Sequence, residues 1–181
     1  MNLLNSEHFK EELINGEGCM SPLAAFAHSL VISRLQKELF SKLSGSMCDV
    51  FGDNVYLHID EENIVIPDLM ITCDRKKFKS NGYHGTPKFV VEVTNKRSEK
   101  RDRIDKMNLY AKCGIPEYWI IDYKATKIEV YKLQDGSYIL DDVYRWENDI
   151  DSDDYNNEVF IKLISFPHIE IKLKNIFEFE I

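Results

Sequence analysis

Between Lys88 and Asp122 the sequence passes from one apolar run, KFVVEVT, through a charged segment, to a second apolar run, EYWIID. The middle segment, from Ser98 or Glu99 to Cys113, carries Ile104, Met107 and Ala111 at helical spacing, with Gly114 and Pro116 to stop it. Strand, helix and strand in that order predict a parallel crossover. The chain is therefore expected to be α/β, with a mixed central sheet flanked by helices.

Two carboxylates interrupt the apolar pattern. From Ile64 to Ile71, the residues Val65, Pro67, Leu69 and Ile71 alternate with Ile64, Ile66, Asp68 and Met70. Both faces are apolar, so the strand is expected to be covered on both sides, with Asp68 among aliphatic residues. Pro67 has no N–H to give to a ladder, which predicts a bulge or distortion just before Asp68. In the next strand Phe89, Val91 and Val93 share one face while Val90 and Glu92 share the other. An ionised carboxylate is expensive to remove from water, so Asp68 and Glu92 both need partners.

Lys106 stands in the series Asp102, Lys106, Tyr110 along one helical stripe. Spacing alone leaves it either a solvated helix lysine or a cation brought over the sheet to Glu92. Inward carboxylates on strands ~4.8 Å apart can also share a divalent ion with bonds of about 2.0 to 2.1 Å. Such an ion, with a lysine such as Lys106 stabilising the charge that grows on a phosphate, suits phosphodiester hydrolysis, with Asp68, Glu92 and Lys106 as the candidate catalytic residues. The plain alternative is a structural ion pair between Glu92 and Lys106.

The rest of the chain reads as scaffold. Ser6 to Leu13 is expected as a short helix interrupted near Gly16 and Gly18, followed by a longer helix from Ser21 or Pro22 to about Leu43. Its stripe would include Leu23, Phe26, Val31, Leu35 and Leu39, with His28 beside the stripe as a minor candidate. Val55 to Ile59 and the run from Ile64 suggest an antiparallel hairpin turning at Asp60 to Asn63. Arg75 to Pro87 reads as an exposed, mobile basic loop. Lys127 to Leu133 and Ser137 to Leu140 flank an Asp135-Gly136 hairpin signal, Asp141 to Glu158 is expected as an acidic loop, and extra C-terminal antiparallel strands follow at Val159 to Ile164 and Ile169 to Leu173. Ile176, Phe177 and Phe179 would pack the end. No phosphate-binding glycine loop is present, and the acidic segment lacks the features of an EF-hand.

At 181 residues the chain has the length of one domain, 1–181, able to bury a core without metal or disulfides. Cys19, Cys48, Cys73 and Cys113 show no ligand spacing and are expected as reduced thiols. No signal-peptide or membrane-spanning run appears, so a cytoplasmic protein with no membrane partner is expected. A net charge of −8 argues against polyanions, but it is segregated: Arg75 to Lys106 holds eleven basic and four acidic residues. Screening lets such a patch attract a nucleic acid locally. Arg75, Lys76, Lys77, Lys79, Lys96 and Arg97 are the candidate contacts.

The runs VIPDLMITC, GTPKFVVEV and RIDKMNLYAKCGIPEYWIID resemble the Uma2 family of restriction-endonuclease-like proteins, within the PD-(D/E)XK nuclease superfamily. HSLVISRL and FPHIEIKLKNIF also fit. The resemblance implies a nuclease core, dependence on Mg2+ or Mn2+, DNA as substrate, and Asp68 and Glu92 as metal ligands assisted by the Val93 carbonyl. The superfamily's D/E-x-K triplet reads Glu92, Val93, Thr94 here, so its lysine is absent and Lys106 matches the family's helical lysine instead. Tyr110 and His28 also match family positions. The alternative is a catalytically degenerate nuclease fold kept as a nucleic-acid-binding or regulatory module. Nucleases that cut both strands often act as symmetric pairs, so a homodimer is expected on that ground.

Overall fold

The computed structural model describes residues 9–22, 26–147, 149, 151–153 and 155–178. In chain order the elements are β1 (Phe9–Ile14), β2 (Glu17–Pro22), α1 (Phe26–Lys42), β3 (Asp49–Gly52), β4 (Leu57–His58), β5 (Ile64–Val65) and β6 (Leu69–Thr72). Then come β7 (Phe78–Lys79), β8 (Gly82–Tyr83), β9 (Phe89–Thr94), a π-helical segment (Arg101–Lys106) and α2 (Met107–Lys112). The chain continues through β10 (Glu117–Asp122), β11 (Lys127–Gln134), β12 (Ser137–Arg145), β13 (Phe160–Lys162), β14 (Glu170–Lys172) and α3 (Leu173–Phe177).

The central sheet has the order β12-β11-β10-β9-β6-β3. β9 and β10 are parallel, joined by the π segment and α2, as the crossover pattern requires. β6 and β3 extend the sheet antiparallel on one side, β11 and β12 on the other. All six residues of β9 are buried, because both faces are covered. Phe89, Val91, Val93, Trp119 and Ile121 pack against Val31, Leu35 and Leu39 of α1 and against α3, with Ile161 and Ile171 of the β13-β14 hairpin joining them. On the opposite face, Met70, Val90, Tyr118 and Ile120 meet Leu109 and Tyr110 of α2. That face also receives Ile14, Leu57, Val65 and Tyr83 from a second layer of short strands, ordered β2-β1-β5-β4-β8-β7. Among the described residues no helix is long and apolar enough to cross a membrane.

Several local expectations are corrected. Phe9 to Leu13 is strand rather than helix, and residues 6–8 lie outside the described residues. Asn15 and Gly16 take φ values of 51° and 75°, the two-residue turn that folds β1 onto β2. Ser21 and Pro22 belong to β2 rather than to the long helix, which is described from Phe26, whose side chain is exposed, while residues 23–25 lie outside the described residues. The run from Ile64 is not one strand. It breaks at Ile66 to Asp68, and β5 belongs to the short-strand layer while β6 belongs to the central sheet. Pro67 is the physical reason, since it cannot donate to a ladder. The basic segment is not a featureless loop: Arg75–Lys77 form a 3-10 turn and β7 pairs with β8. Gly82, at φ 135°, approaches Tyr56 so closely that a Cβ would lie 2.5 Å from its carbonyl oxygen. β12 runs to Arg145, so the start of the acidic segment is sheet edge. Cys48 and Cys73 are disulfide-bonded rather than reduced, because the Asp49↔Thr72 register of β3 and β6 sets them opposite one another. Phe179 lies outside the described residues.

Candidate active site

The parallel strands β9 and β10 end at Thr94 and Asp122, and a cleft of about 360 Å³ opens beyond them. Crevices outside the carboxyl ends of parallel strands are recurrent ligand sites, because loops there diverge. Asn95 to Ser98 follow β9 and Tyr123 and Lys124 follow β10, and all six line the cleft. β1 supplies Lys10 and Glu12, the N-terminal part of α1 supplies His28, and the π segment supplies Arg101, Asp102 and Lys106. Glu12, Asp68, Glu92, Asp102 and Lys106 are only 2 to 6% exposed. So many charges out of water are stable only as a mutually paired set.

Asp68 sits just ahead of β6. The β6–β9 pairing ends at Leu69↔Val91, leaving the backbone of Val93 without a partner strand on that side. The Asp68 carboxylate takes that position: its Oδ2 accepts the Val93 N–H at 2.8 Å. The N–H and C=O of one strand residue leave on the same side, so the Val93 carbonyl is presented at this edge too. His28 Nε2 lies 3.1 Å from the same oxygen and Lys10 Nζ 2.9 Å from Oδ1. Burial pushes the Asp68 carboxyl up, but the His28 hydrogen bond and the Lys10 charge outweigh it and hold the group well below the usual range. Burial lowers the Lys10 ammonium, and Asp68 more than restores it.

Glu92 lies on the α2 face of β9. Its Oε1 accepts from Tyr110 at 2.5 Å and from Lys106 at 3.1 Å. Both bonds use one oxygen, Oε1. Burial pushes the Glu92 carboxyl up to about 8 against the pull of Lys106. Lys106 is itself held between two carboxylates, with Glu12 Oε1 at 2.8 Å. Burial would lower the ammonium, and Glu92 and Glu12 drive it well above its ordinary value. Glu12 Oε1 also accepts the Ile66 N–H at 2.9 Å, tying the hairpin to the break before Asp68.

The π winding of Arg101–Lys106 directs both Asp102 and Lys106 inward, and single π turns inside α-helices are frequent at functional sites. Thr94 is buried, with its hydroxyl 3.4 Å from Ser98 Oγ, and carries no charge to the cleft.

Of the residues singled out from sequence, Asp68, Glu92, Val93, Lys106, His28, Lys96 and Arg97 line the cleft, and Tyr110 reaches it through Glu92. Arg75, Lys76, Lys77 and Lys79 do not line it; they follow the opposite end of β6, where Arg75 pairs with Asp49 at 2.6 Å. The cleft also holds Lys10 and Glu12, which are not among the sequence candidates. The alternation of Lys10, Glu12 and Ile14 before Asn15-Gly16 is the signal that would have found them. Among the described residues no group of three or more His, Cys, Asp or Glu side chains is arranged to hold a metal ion.

A profile of the Uma2 family, described as "Putative restriction endonuclease", matches residues 2–158. The chain is 29% identical over 116 residues to "Uncharacterized protein slr1290" of Synechocystis sp. (strain ATCC 27184 / PCC 6803 / Kazusa), over 62% of this chain and 61% of that protein. The match thus spans less than two thirds of that relative. In structure the chain is similar to "a putative nuclease belonging to DUF820 from Anabaena variabilis ATCC 29413", with a TM-score of 0.70 and 16% identity over 92% of this chain and 89% of the other. That likeness is one of fold, a mixed α/β nuclease-like architecture. The family match runs through every element that lines the cleft, from β1 to the turn after β10. The chain belongs to the Uma2 family.

Proposed function

We propose that this protein is a DNA endonuclease that hydrolyses phosphodiester bonds with the help of Mg2+ or Mn2+, and that the cleft at the ends of β9 and β10 is its active site. The observation that carries the reading is the convergence of two buried carboxylates, Asp68 just ahead of β6 and Glu92 on the adjoining β9, on one cleft with the Val93 carbonyl edge beside them. Their chemistry fits a hard cation: Mg2+ is commonly bound through one or two carboxylates and keeps several waters. Asp68, the second oxygen of Glu92 and the Val93 carbonyl would hold it. When bound, such an ion makes a water nucleophilic and offsets charge growing on the phosphate. The remaining groups orient the ligands. His28 and Lys10 fix Asp68, while Tyr110 and Lys106 fix Glu92 and keep positive charge next to it. Lys96, Arg97 and Lys124 line the cleft, where DNA phosphates would be drawn in.

Calorimetric titration with Mn2+ and a cleavage assay on single-stranded, nicked and duplex DNA test the reading. Wild-type protein is expected to take up the ion and cut. Asp68→Ala and Glu92→Ala should lose ion uptake and at least a hundredfold in rate. Cleavage that persists in both variants defeats the site assignment.

A second reading is a nuclease fold retained as a nucleic-acid-binding or regulatory module. It is favoured by the internal pairing of the buried charges and by Thr94, which leaves the strand without a lysine. DNA binding with neither ion uptake nor cleavage would select it.

A further inference from the structure

Two lysine ammonium groups touch the carboxylates of the cleft, and they stand in opposite situations. Lys106 Nζ is enclosed between Glu12 at 2.8 Å and Glu92 at 3.1 Å, with only 5% of its side chain exposed. Turning it toward a ligand would strand two buried carboxylates without their cation, which buried pairs tolerate poorly. Lys10 Nζ bridges Asp68 Oδ1 at 2.9 Å and Asp53 Oδ2 at 3.2 Å, and 19% of its side chain is exposed. Its second anchor, Asp53, is itself 43% exposed. An exposed ion pair is worth little, so Lys10 can exchange Asp53 for another anion at small cost while staying over Asp68.

We propose that Lys10, carried by the N-terminal hairpin, is the ammonium that contacts the phosphate at the cleavage point, and that Lys106 is a positioning residue for Glu92 and Glu12. The inference rests on the reading of the cleft as a phosphodiester-cleaving site. It assigns the hairpin a part in substrate binding: the alternation that buries Ile14 directs Lys10 and Glu12 toward the cleft. A phosphate oxygen takes the place of the Asp53 carboxylate, so Lys10 passes from one exposed anion to another without deprotonation. The partner is a phosphodiester backbone, recognised by charge and not by base.

The experiment uses the full chain as wild type, Lys10→Met, Lys10→Arg and Lys106→Met. Four quantities are read: cleavage with Mn2+, binding of fluorescent DNA without divalent ion across a series of NaCl concentrations, Mn2+ uptake by calorimetry, and melting temperature. Lys10→Met is expected to lower kcat/KM by about a hundredfold and to reduce the slope of log K against log salt by about 1, with Mn2+ uptake retained through the Val93 and His28 contacts to Asp68 and some fall in melting temperature from the lost ion pair. Lys10→Arg should recover most of the salt slope. Lys106→Met should leave the salt slope unchanged and alter Mn2+ uptake or melting. The proposal is overturned if Lys10→Met cuts within threefold of wild type at an unchanged salt slope. It is also overturned if both Lys10 variants lose Mn2+ uptake together with activity, since Lys10 would then only support Asp68. Wild-type protein that neither cuts nor binds DNA would instead sink the nuclease reading beneath it.

Discussion

Glu129, on β11, shows how a single carboxylate joins the crossover helix to the sheet. Arg103 donates from both Nη atoms, Lys127 approaches to 2.6 Å and the Tyr131 hydroxyl to 2.8 Å. Burial pushes this carboxyl up, but the hydrogen bonds from Arg103, Lys127 and Tyr131 outweigh it and hold it down to about 2, from an ordinary 4.5. A carboxylate depressed in the folded state stabilises the fold above its unfolded value, and that contribution disappears as pH falls through the folded value. Glu129→Gln should therefore cost about 1 kcal/mol at pH 7, with the difference shrinking between about pH 4.5 and about pH 2. Denaturant unfolding at pH 7, 5 and 3 checks it; a pH-independent difference would mean that charge is not the cause. At this scale the sequence was informative where a residue broke a pattern. Asp68 and Glu92 stood out because aliphatic neighbours made them costly, and both are buried. Lys10 and Glu12 did not stand out, since a charged pair near a chain start is usually a solvated face, and only the sheet reveals that they point inward.

The crossover from β9 to β10 was legible from the order strand, helix, strand, but the face its helix buries was not. The stripe expected from Ile104, Met107 and Ala111 leaves Ile104 50% exposed, because the π winding turns Asp102 and Lys106 inward, followed by Leu109 and Tyr110. Pro67 was legible as a distortion. That the distortion divides one apolar run between two sheets was not, because pairing partners are set by residues remote in the chain. The same reason hid the disulfide: Cys48 and Cys73 meet only through the β3–β6 register. The N-terminal hairpin is announced by Asn15-Gly16, but the residues before it also fit helical spacing, and only pairing with β2 and β5 decides for strand. Gly16 sits at φ 75°, so Gly16→Ala should destabilise the hairpin by about 1 kcal/mol or more. If the hairpin serves the cleft, DNA affinity should fall with it while the central sheet stays folded; hydrogen exchange resolved along the chain would separate the two. Protection lost uniformly would show the hairpin to be part of one cooperative unit.

Taken whole, the molecule separates its basic residues into two groups that sequence proximity had merged. Lys96, Arg97 and Lys124 line the cleft, whereas Arg75, Lys76, Lys77 and Lys79 follow the far end of β6. Lys96→Gln with Arg97→Gln should weaken DNA binding about tenfold in moderate salt, while replacing Arg75, Lys76, Lys77 and Lys79 by Gln should change it less than twofold. Fluorescence anisotropy at fixed ionic strength compares the two; equal losses would mean that DNA spans both ends of the sheet. The break at Pro67 has a mechanical meaning. One continuous length of chain, from Ile64 to Thr72, leaves the short-strand layer and enters the central sheet, with Asp68 at the crossing. Asp68 is thereby tied to both layers at once, to the Val93 N–H of the central sheet and to Lys10 of the short-strand layer, so any shift between the layers would have to be absorbed at the carboxylate around which the cleft is built.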